Sequence, residues 1–392
     1  MGPFHDITVL DLTRVLSGPY CTMLLGDLGA RIIKIEQPRK GDDTRAWGPP
    51  FLSGESAYFL SINRNKESVT LDFKNPRGRA ILEQLIAKAD VLVENFRPGT
   101  LERMQLDYAS VSTKYPRLVY CSLSGFGHSG PRSSEAGYDA VLQGEGGMMS
   151  LTGTPDVPPV RVGVAIADIV SGMFAAQGVS AALYARERTG RGQHVDIAML
   201  DSVAALLTYQ AGIFFATDVP PTRLGNRHPT IVPYETFTAS DGEFMLAVGT
   251  DEQWRKFCQV AALDLGEEFA ANRARVTGYD RLRPKIAAAL KTQSRSHWIE
   301  KLKAVGVPCG SVRNLQEVFA DAQIAARHMV VPMKHGVAGD IRVLGSPLKL
   351  SATPSSQRTP PPTLGQHTEA VLQKDLGLTG DAVTELRTQG VV

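Results

Sequence analysis

Short apolar runs alternate with longer helical patterns through the first half of the chain. The runs lie at 8–12, 31–36, 68–73, 90–96 and 118–123, and each has the length of a buried strand. Glycine or proline precedes several of the helical patterns between them, as is common where a helix begins. Strands that alternate with helices in this way are typical of a largely parallel sheet. The pattern therefore predicts an α/β fold.

The longest apolar segment runs from Val164 to Ala185 and is about long enough to cross a membrane. Asp168 interrupts it near its start, and small residues make up much of the remainder. Carboxylates are rare inside membranes, whereas small residues let a helix pack closely against its neighbours. We therefore expect a core helix and no membrane partner, with a membrane span as the less favoured alternative.

The pattern changes in the second half of the chain. An apolar helix is predicted at 201–215, a loop with several prolines follows it, and a β run occupies 244–248. A change of pattern after a proline-containing loop indicates a second, smaller domain. Charged helices are predicted in it at 252–262, 279–291 and 296–305.

Composition narrows the choice of partners. The 392 residues carry a formal net charge of +2 and no basic stripe, so we expect small-molecule partners and no nucleic acid. The four cysteines form no CxxC pair and the eight histidines form no HExxH motif, so neither a disulfide framework nor a metal site is indicated. We expect a reducing compartment, which is the cytoplasm or, for a mature form, the mitochondrion.

Asp168 is the strongest candidate for chemistry, because a carboxylate in an apolar run must be paired, hydrogen-bonded or placed at a helix end. We expect it in the first turn of its helix. There the helix dipole favours the ionised form, which can act as a nucleophile at neutral pH. A structural role, as a helix cap or in a salt bridge, explains the pattern equally well.

Glycine-rich segments can supply backbone N–H groups to a phosphate or an oxyanion, and they occur at 125–127, 144–147 and 190–192. None has the spacing of a P-loop or of a dinucleotide-binding motif. Each by itself is more typical of a turn. Ser124 precedes its glycines in an order that does not form a nucleophile elbow, so a serine hydrolase is disfavoured.

Several ordered motifs are more specific when they are taken together. They are VLDL at 9–12, SGP at 17–19, GDLGA at 26–30, KIE at 34–36, GDDTR at 41–45, NRNK at 63–66, ENFRPG at 94–99, GFG at 125–127 and TGRGQ at 189–193. In this order they resemble the class III CoA-transferase family, which includes formyl-CoA transferase, carnitine CoA-transferase and α-methylacyl-CoA racemase. The resemblance covers essentially the whole chain.

The resemblance implies a Rossmann-like large domain formed by both chain ends, a smaller α+β domain, and a homodimer whose two subunits interlock like rings. The implied boundaries are 1–200 for the first part of the large domain and 201–225 for a linker helix and loop. The small domain is then expected at 226–330, and 331–392 is the return segment that completes the large domain.

The resemblance also assigns site residues. Asp168 matches the catalytic aspartate of the family. The implied chemistry also needs backbone donors beside Asp168 for an oxyanion, and Gly144, Gly146 and Gly147 are the expected ones because glycine permits close approach. The positions that match CoA contacts are Leu16, Ser17, Leu71, Asp72, Phe73, Lys74, Asn95, Phe96, Arg97, Arg103 and Tyr138.

Some of these assignments have simpler alternatives. Lys74 and Arg103 are equally typical of solvated surface charges, and Tyr138 of a buried tyrosine. Formyl-CoA transferase has basic residues where Gln37 and Ala136 stand here, and Arg39 is a candidate substitute for the first.

The activity implied is transfer of CoA from an acyl-CoA to a free carboxylic acid through aspartyl anhydride and aspartyl-CoA thioester intermediates. It needs no metal and no permanently bound cofactor, since acyl-CoA is a substrate. An α-methylacyl-CoA racemase is the first alternative, although Tyr138 stands where its histidine is expected. A CoA-binding regulatory protein without turnover is the second.

The substrate expectation comes from the second domain and the tail, which resemble succinyl-CoA:glutarate CoA-transferases. This implies succinyl-CoA as donor and glutarate or another short dicarboxylate as acceptor. A second carboxylate needs a cation, and Arg227 or His228 is the expected one. A structural ion pair between domains explains Arg227 equally well.

Overall fold

The computed structural model describes every residue from Met1 to Val392. The strands are β1 (Thr8–Asp11), β2 (Arg31–Glu36), β3 (Phe51–Leu52), β4 (Glu55–Ser56), β5 (Lys66–Thr70), β6 (Val91–Glu94), β7 (Val119–Ser124), β8 (His194–Ala198), β9 (Tyr234–Ala239), β10 (Gly242–Ala247), β11 (Cys309–Ser311), β12 (Val330–His335) and β13 (Gly339–Leu344).

The helices alternate with these strands in the first half and dominate the second. They are α1 (Ser17–Asp27), α2 (Ala57–Ile62), α3 (Pro76–Ile86), α4 (Tyr108–Ser112), α5 (Asp139–Glu145), α6 (Met148–Leu151), α7 (Ile166–Thr189), α8 (Met199–Leu206), α9 (Thr208–Thr217), α10 (Asp251–Val260), α11 (Asn272–Thr277), α12 (Tyr279–Leu290), α13 (Arg295–Ala304), α14 (Leu315–Phe319), α15 (Ala322–Ala326), α16 (Thr368–Leu376) and α17 (Gly380–Thr388). Short 3₁₀ helices lie at Asp43–Ala46, Glu102–Met104 and Glu267–Phe269.

A six-stranded sheet forms the centre of the first of two compact units, in the order β5-β2-β1-β6-β7-β8. Every neighbouring pair is parallel, and Leu10 of β1 lies between Ile33 of β2 and Leu92 of β6. The predicted α/β fold with a parallel sheet is therefore confirmed. The strand order reverses between β1 and β6, and an open parallel sheet binds ligands at the carboxyl ends of the strands beside such a reversal.

Alternate residues of each strand face two separate cores, because successive side chains of a strand point to opposite sides. Leu10 packs with residues of α3, α16 and α17. Its neighbour Val9 packs with residues of α1 and α7 on the other face. The sheet is thus covered on both faces, and the last two helices of the chain supply part of one cover.

Helix α7 is long and apolar enough to cross a membrane, but half of its most apolar window is buried in the protein. It packs against α1, β7 and β8. A Cβ at Gly178 would lie 2.7 Å from the Val195 side chain, so glycine is needed where the helix meets β8. Close packing in the core accounts for the many small residues of this helix.

The helix predicted at 201–215 is not continuous, and that prediction is wrong. The structure has α8 and α9 instead, with Leu207 between them. Thr208 adopts a φ of 37°, which lies outside the right-handed helical region and breaks the hydrogen-bond ladder. Helices α8 and α9 are apolar and long enough to cross a membrane only when the two are counted as one span.

The second compact unit comprises Met149–Val160 and Ile213–Asp321. Its three strands pair antiparallel in the order β11-β10-β9, and its core includes Phe244, Trp254 and Leu282. Helices α10, α12 and α13 occupy nearly the same residues as the three helices predicted at 252–262, 279–291 and 296–305.

The first unit comprises Met1–Met148, Arg161–Gly212 and Ala322–Val392, so it contains both ends of the chain. The units divide the chain at other residues than the expected boundaries of 1–200, 201–225, 226–330 and 331–392. As limits of independently folding domains, those boundaries stay predictions.

Candidate active site

Asp168 lies in the first turn of α7, as expected. The free N–H groups of this helix end are bound by the side chain of Asp139, the first residue of α5. Its Oδ1 accepts hydrogen bonds from the backbone N of Ala167 at 2.8 Å and of Asp168 at 3.4 Å. Its Oδ2 accepts one from Gln143 Nε2 at 2.7 Å. Asp139 therefore caps α7 from another helix and fixes the turn that carries Asp168.

Ser17, the first residue of α1, reaches Asp168 from a second direction. Its hydroxyl and its backbone N–H lie close enough to the Asp168 carboxyl group to lower the pKa of that group. This contact requires α1 and α7 to lie very close together. A Cβ at Gly172, one turn further along α7, would lie 2.6 Å from the carbonyl oxygen of Ser17. Glycine at this position therefore permits the approach that brings the two side chains together.

The pKa of Asp168 is raised to about 7, and burial is the main cause. The nearby Asp139 carboxylate raises it further, while the hydroxyl and backbone N–H of Ser17 lower it. The pKa moves in the opposite direction to the one expected from the helix dipole alone, because loss of water around a carboxylate outweighs the dipole. Asp168 is ionised in about half of the molecules near neutral pH and in most of them above it.

The loop between β1 and α1, which presents Ser17, is held by a network of buried charges. Asp11 lies at the end of β1 and accepts a hydrogen bond from Lys66 Nζ at 3.2 Å. Lys34 Nζ donates to the carbonyl of Thr13 at 2.8 Å and pairs with Asp42 at 3.0 Å. Burial opposes ionisation of Asp11, but the two lysines and two hydroxyl groups outweigh it and lower the pKa of Asp11 to about 2. These ion pairs fix the path of the loop.

Two cavities lie at the carboxyl ends of the parallel strands. The larger, of about 380 Å³, follows β1, β2, β5 and β6. The smaller, of about 200 Å³, contains Asp168. Of the residues matched to CoA contacts, Leu71, Asp72, Phe73 and Lys74 line the larger cavity, Ser17, Asn95 and Tyr138 the smaller, and Phe96 and Arg97 both.

Leu16 and Arg103 line neither cavity. The side chain of Leu16 is buried in a small apolar cluster with Met23 and Ile62. Arg103 lies exposed in a 3₁₀ helix after β6. The structure therefore gives neither of these two side chains a direct place in the site, although Leu16 is adjacent to Ser17. Tyr138 is exposed rather than buried, which removes the alternative of an ordinary core tyrosine.

The three glycines expected as oxyanion donors have other roles. The N–H of Gly146 donates to the carbonyl of Leu142 at 2.8 Å, and that of Gly147 to the carbonyl of Gly144 at 3.3 Å. These bonds end α5, and Gly147 has a φ of 83°, which favours glycine. None of the three residues lines the cavity that holds Asp168. The expected oxyanion role of Gly144, Gly146 and Gly147 is therefore corrected to a structural one.

The positions that differ from formyl-CoA transferase do lie at the cavities. Gln37 lines the larger and Ala136 the smaller. Arg39, the candidate substitute, is exposed and lines neither, and its guanidinium lies near Gly390 in the C-terminal segment. Arg39 is therefore not placed to replace a basic residue at Gln37.

Residues that sequence reasoning did not assign also lie here. Asp139 and Arg14 line the Asp168 cavity. Burial and, next, the charge of Asp168 raise the pKa of Tyr58 to about 12, which places its ring near Asp168. The GYD motif at 137–139 was a signal for Asp139. No local pattern distinguished Arg14 or Tyr58 from ordinary loop and helix residues.

Arg227 and His228 lie in the second compact unit. The Arg227 guanidinium lies 3.4 Å from the centre of the Tyr279 ring, and its Nε is buried without a hydrogen-bond partner. Arg227 forms no ion pair in the structure, so the salt-bridge alternative finds no support. Nδ1 of His228 accepts a hydrogen bond from the backbone N of Thr230 at 3.1 Å, and burial lowers the pKa of this histidine.

Comparison with known proteins bears on this arrangement. Residues 4–368 match the model of the family described as CoA-transferase family III. A succinyl-CoA:glutarate CoA-transferase of Mus musculus is 40% identical over 397 residues, which is 100% of this chain and 91% of the relative. An acetyl-CoA:oxalate CoA-transferase of Acetobacter aceti is 41% identical over 89% of this chain and 90% of the relative.

Solved structures give the same result. The crystal structure of a CAIB/BAIF family protein from Brucella suis superimposes with a TM-score of 0.84 and 40% identity, and the match covers 95% of this chain and 99% of that one. The parallel sheet, the family model and the relatives agree with the family that the sequence motifs predicted. The chain belongs to CoA-transferase family III.

Proposed function

We propose that this protein transfers CoA from an acyl-CoA to a free carboxylate, with Asp168 as the nucleophile. The observation that carries the proposal is the position of Asp168: a carboxyl group with a pKa of about 7, in a cavity at the carboxyl ends of a parallel sheet. Its relatives are named as CoA-transferases, which supports the same chemistry here.

The chemistry has four steps. The ionised carboxylate attacks the acyl carbon of the donor thioester, the C–S bond breaks, and CoA leaves as a thiolate. The product is an anhydride between Asp168 and the donor acyl group. The thiolate attacks the aspartyl carbonyl and releases the donor acid, which forms aspartyl-CoA. The acceptor carboxylate attacks that carbonyl and expels the thiolate. The thiolate then attacks the acceptor acyl carbon and regenerates the carboxylate. Covalent catalysis thus divides one difficult transfer into easier steps.

Each attack on the aspartyl carbonyl places negative charge on a carboxyl oxygen of Asp168. The hydroxyl and backbone N–H of Ser17 lie beside this group and already favour its ionised form. Donors fixed beforehand at the developing charge stabilise it without reorganisation. Ser17 is therefore the oxyanion donor in this proposal, in place of the three glycines.

CoA lies along the strand ends in this proposal. The segment Leu71–Lys74 follows β5 and lines the larger cavity, and Asn95–Arg97 follows β6. Tyr138 lies on the far side of the Asp168 cavity, where its exposed ring can contact the pantetheine arm. No permanently bound cofactor takes part, since the donor thioester supplies the energy of the product thioester.

The substrates we propose are succinyl-CoA and a short dicarboxylate such as glutarate. Relatives named for glutarate and for oxalate both match along most of the chain, which supports a diacid over a monocarboxylate. The unpaired cation of Arg227 supports the same choice, because a second carboxylate can bind its guanidinium in place of water. His228 is the alternative cation.

The assembly we propose is an interlocked homodimer. Helix α7 exposes Met173, Phe174 and Tyr184, and α9 exposes Tyr209 and Phe215. Several exposed large apolar side chains on two helices favour a surface that a second subunit covers. All four cysteines are free, which supports a reducing location such as the cytoplasm or, for a mature form, the mitochondrion.

The test is to trap the covalent intermediate. Incubation with succinyl-CoA and then hydroxylamine should convert Asp168 into a hydroxamate that mass spectrometry locates. Asp168→Asn should show no label and no transfer. Asp201→Asn, an exposed carboxylate in the first turn of α8, should behave as the wild type. Label on a different residue would remove the assignment of the nucleophile.

The same preparation tests the acceptor. Transfer rates should be higher with diacids than with monocarboxylates of equal chain length. A preference for monocarboxylates would remove the dicarboxylate proposal and leave CoA transfer standing.

A further inference from the structure

Four residues belong to the walls of both cavities: Arg14, Asp43, Phe96 and Arg97. They mark the boundary between the two spaces. Arg14 lies in the loop after β1 and Arg97 in the loop after β6, which are the two strands at which the sheet order reverses. A ligand that extends from one cavity into the other therefore meets these two arginines.

The chemistry of CoA determines which part of it lies at that boundary. The thioester must reach Asp168, so the pantetheine arm occupies the smaller cavity. The nucleoside at the opposite end then lies in the larger one. The diphosphate, which joins the two parts, falls between them. This order rests on the CoA-transferase function proposed above.

The backbone of Arg14 is fixed at this position. Its N–H donates to Asn95 Oδ1 at 2.9 Å, and its carbonyl accepts from Asn95 Nδ2 at 2.7 Å. These two bonds join the loops after β1 and β6 across the reversal of the sheet. The guanidinium lies 5.4 Å from the centre of the Phe96 ring, a cation–π contact that holds it at the mouth of both cavities.

The guanidinium itself is available to a ligand. Its side chain is 51% exposed, and its one ion pair, with Asp43, is long at 3.4 Å. Asp43 has a second and closer partner in Lys40, at 2.9 Å. Arg14 can therefore turn from Asp43 to a phosphate and leave that carboxylate paired.

The other cations of the larger cavity are less suited to this role. Lys34 is completely buried and engaged by Asp42, and Lys74 lines the larger cavity alone rather than its boundary with the smaller one. Gln37 and Ala136 contribute no charge, and Arg39 lies outside both cavities. We propose that Arg14 binds the diphosphate of CoA at the boundary of the two cavities, together with Arg97, and supplies the charge that Gln37 and Ala136 lack.

The experiment measures Arg14→Gln with shortened substrates. With succinyl-CoA, kcat/KM should fall about 10- to 100-fold, as expected for loss of one charge-assisted hydrogen bond. Most of the change should appear in KM, because the contact is equal in ground and transition states. The loss should persist with the succinyl thioester of 3′-dephospho-CoA and disappear with that of pantetheine, which has no phosphate. Arg14→Lys should recover part of the affinity.

Arg39→Gln makes the same charge change outside the cavities and should match the wild type with all three substrates. An equal loss with the pantetheine thioester would show that Arg14 only supports the loop and would overturn the proposal. A loss that disappears with the dephospho substrate would assign Arg14 to the 3′-phosphate instead. Calorimetric binding of free CoA to both variants needs no turnover, so it separates failure of this inference from failure of the proposed transferase activity.

Discussion

Burial raises the pKa of Asp168 from its ordinary value of 3.8 to about 7, so the folded protein favours the protonated carboxyl group. The stability that this preference contributes is complete below about pH 4 and is lost as the pH rises to 7. Above pH 7 the folded protein holds an ionised carboxylate at a cost on the order of a few kcal/mol.

Asp168→Asn should therefore be inactive and more stable than the wild type at pH 8. Thermal unfolding of both proteins from pH 4 to pH 8 measures this. The difference in Tm should be greatest at pH 8 and should vanish toward pH 4, where both side chains are neutral. A difference independent of pH would mean that the carboxyl group does not titrate in this range.

Asp139 acts on the same titration, because its negative charge raises the pKa of Asp168. Asp139→Asn removes the charge but keeps an oxygen that can accept from the N–H of Ala167. The acid limb of the pH profile of kcat/KM should move to lower pH, by about half to one unit. The exposed Glu145, at the far end of α5, provides the control as Glu145→Gln. If the acid limb of the pH profile does not move, Asp139 only caps α7 and does not influence the titration of Asp168.

At the scale of elements, the contact between α1 and α7 decides whether Ser17 reaches Asp168. Gly172→Ala should push the helices apart, since its Cβ would lie 2.6 Å from the Ser17 carbonyl oxygen. Overpacking of this kind costs about 1–3 kcal/mol, and kcat should fall because Ser17 moves away from Asp168. Denaturant titration and initial rates measure the two effects.

Gly380→Ala is the matched control for that change, because its Cβ would meet only the Gln373 side chain at an ordinary 3.6 Å. This variant in α17 should keep both stability and rate. If Gly172→Ala unfolds normally and keeps its rate, close approach of α1 and α7 is not what positions Ser17.

Five strands of the parallel sheet, β1, β2, β5, β6 and β7, were predictable because each is a short apolar run, which is a local pattern. The contacts between residues of the site were harder to predict from the sequence. Asp139 binds the N–H of Ala167 across 28 residues of sequence, and Arg14 meets Asn95 across 81. No periodicity in the chain reports such pairs. Asp168 itself was found because a carboxylate in an apolar helix conflicts with its surroundings, and the sign of its pKa shift depended on burial that only the fold defines.

At the scale of the whole molecule, the exposed apolar side chains of α7 and α9 favour a dimer. If the subunits interlock, they can separate only by unfolding. Sedimentation velocity should show a dimer at every concentration down to the nanomolar range. In denaturant, loss of the dimer and loss of helical signal should coincide. A monomer that is folded and forms on dilution would contradict the interlocked arrangement.

Both ends of the chain build the first unit, and sequence motifs at both ends had implied this only through the family resemblance. The hydrophobic pattern alone could not predict that both ends build this unit, since it carries no information on which distant segments meet. Likewise the oxyanion role of Gly144, Gly146 and Gly147 was expected because glycine permits close approach, whereas the N–H groups of Gly146 and Gly147 are engaged at the end of α5.

Part of the cover over one face of the sheet comes late in the sequence. Val371, Leu372 and Leu386 of α16 and α17 pack on Leu10, whose strand is synthesised long before them. His367 accepts a hydrogen bond from the backbone N of Ser68 at 3.1 Å, so β5 also completes its contacts only when this segment is present. On a nascent chain this part of the apolar sheet therefore stays uncovered until α16 and α17 emerge, and uncovered apolar surface of this kind is prone to aggregation.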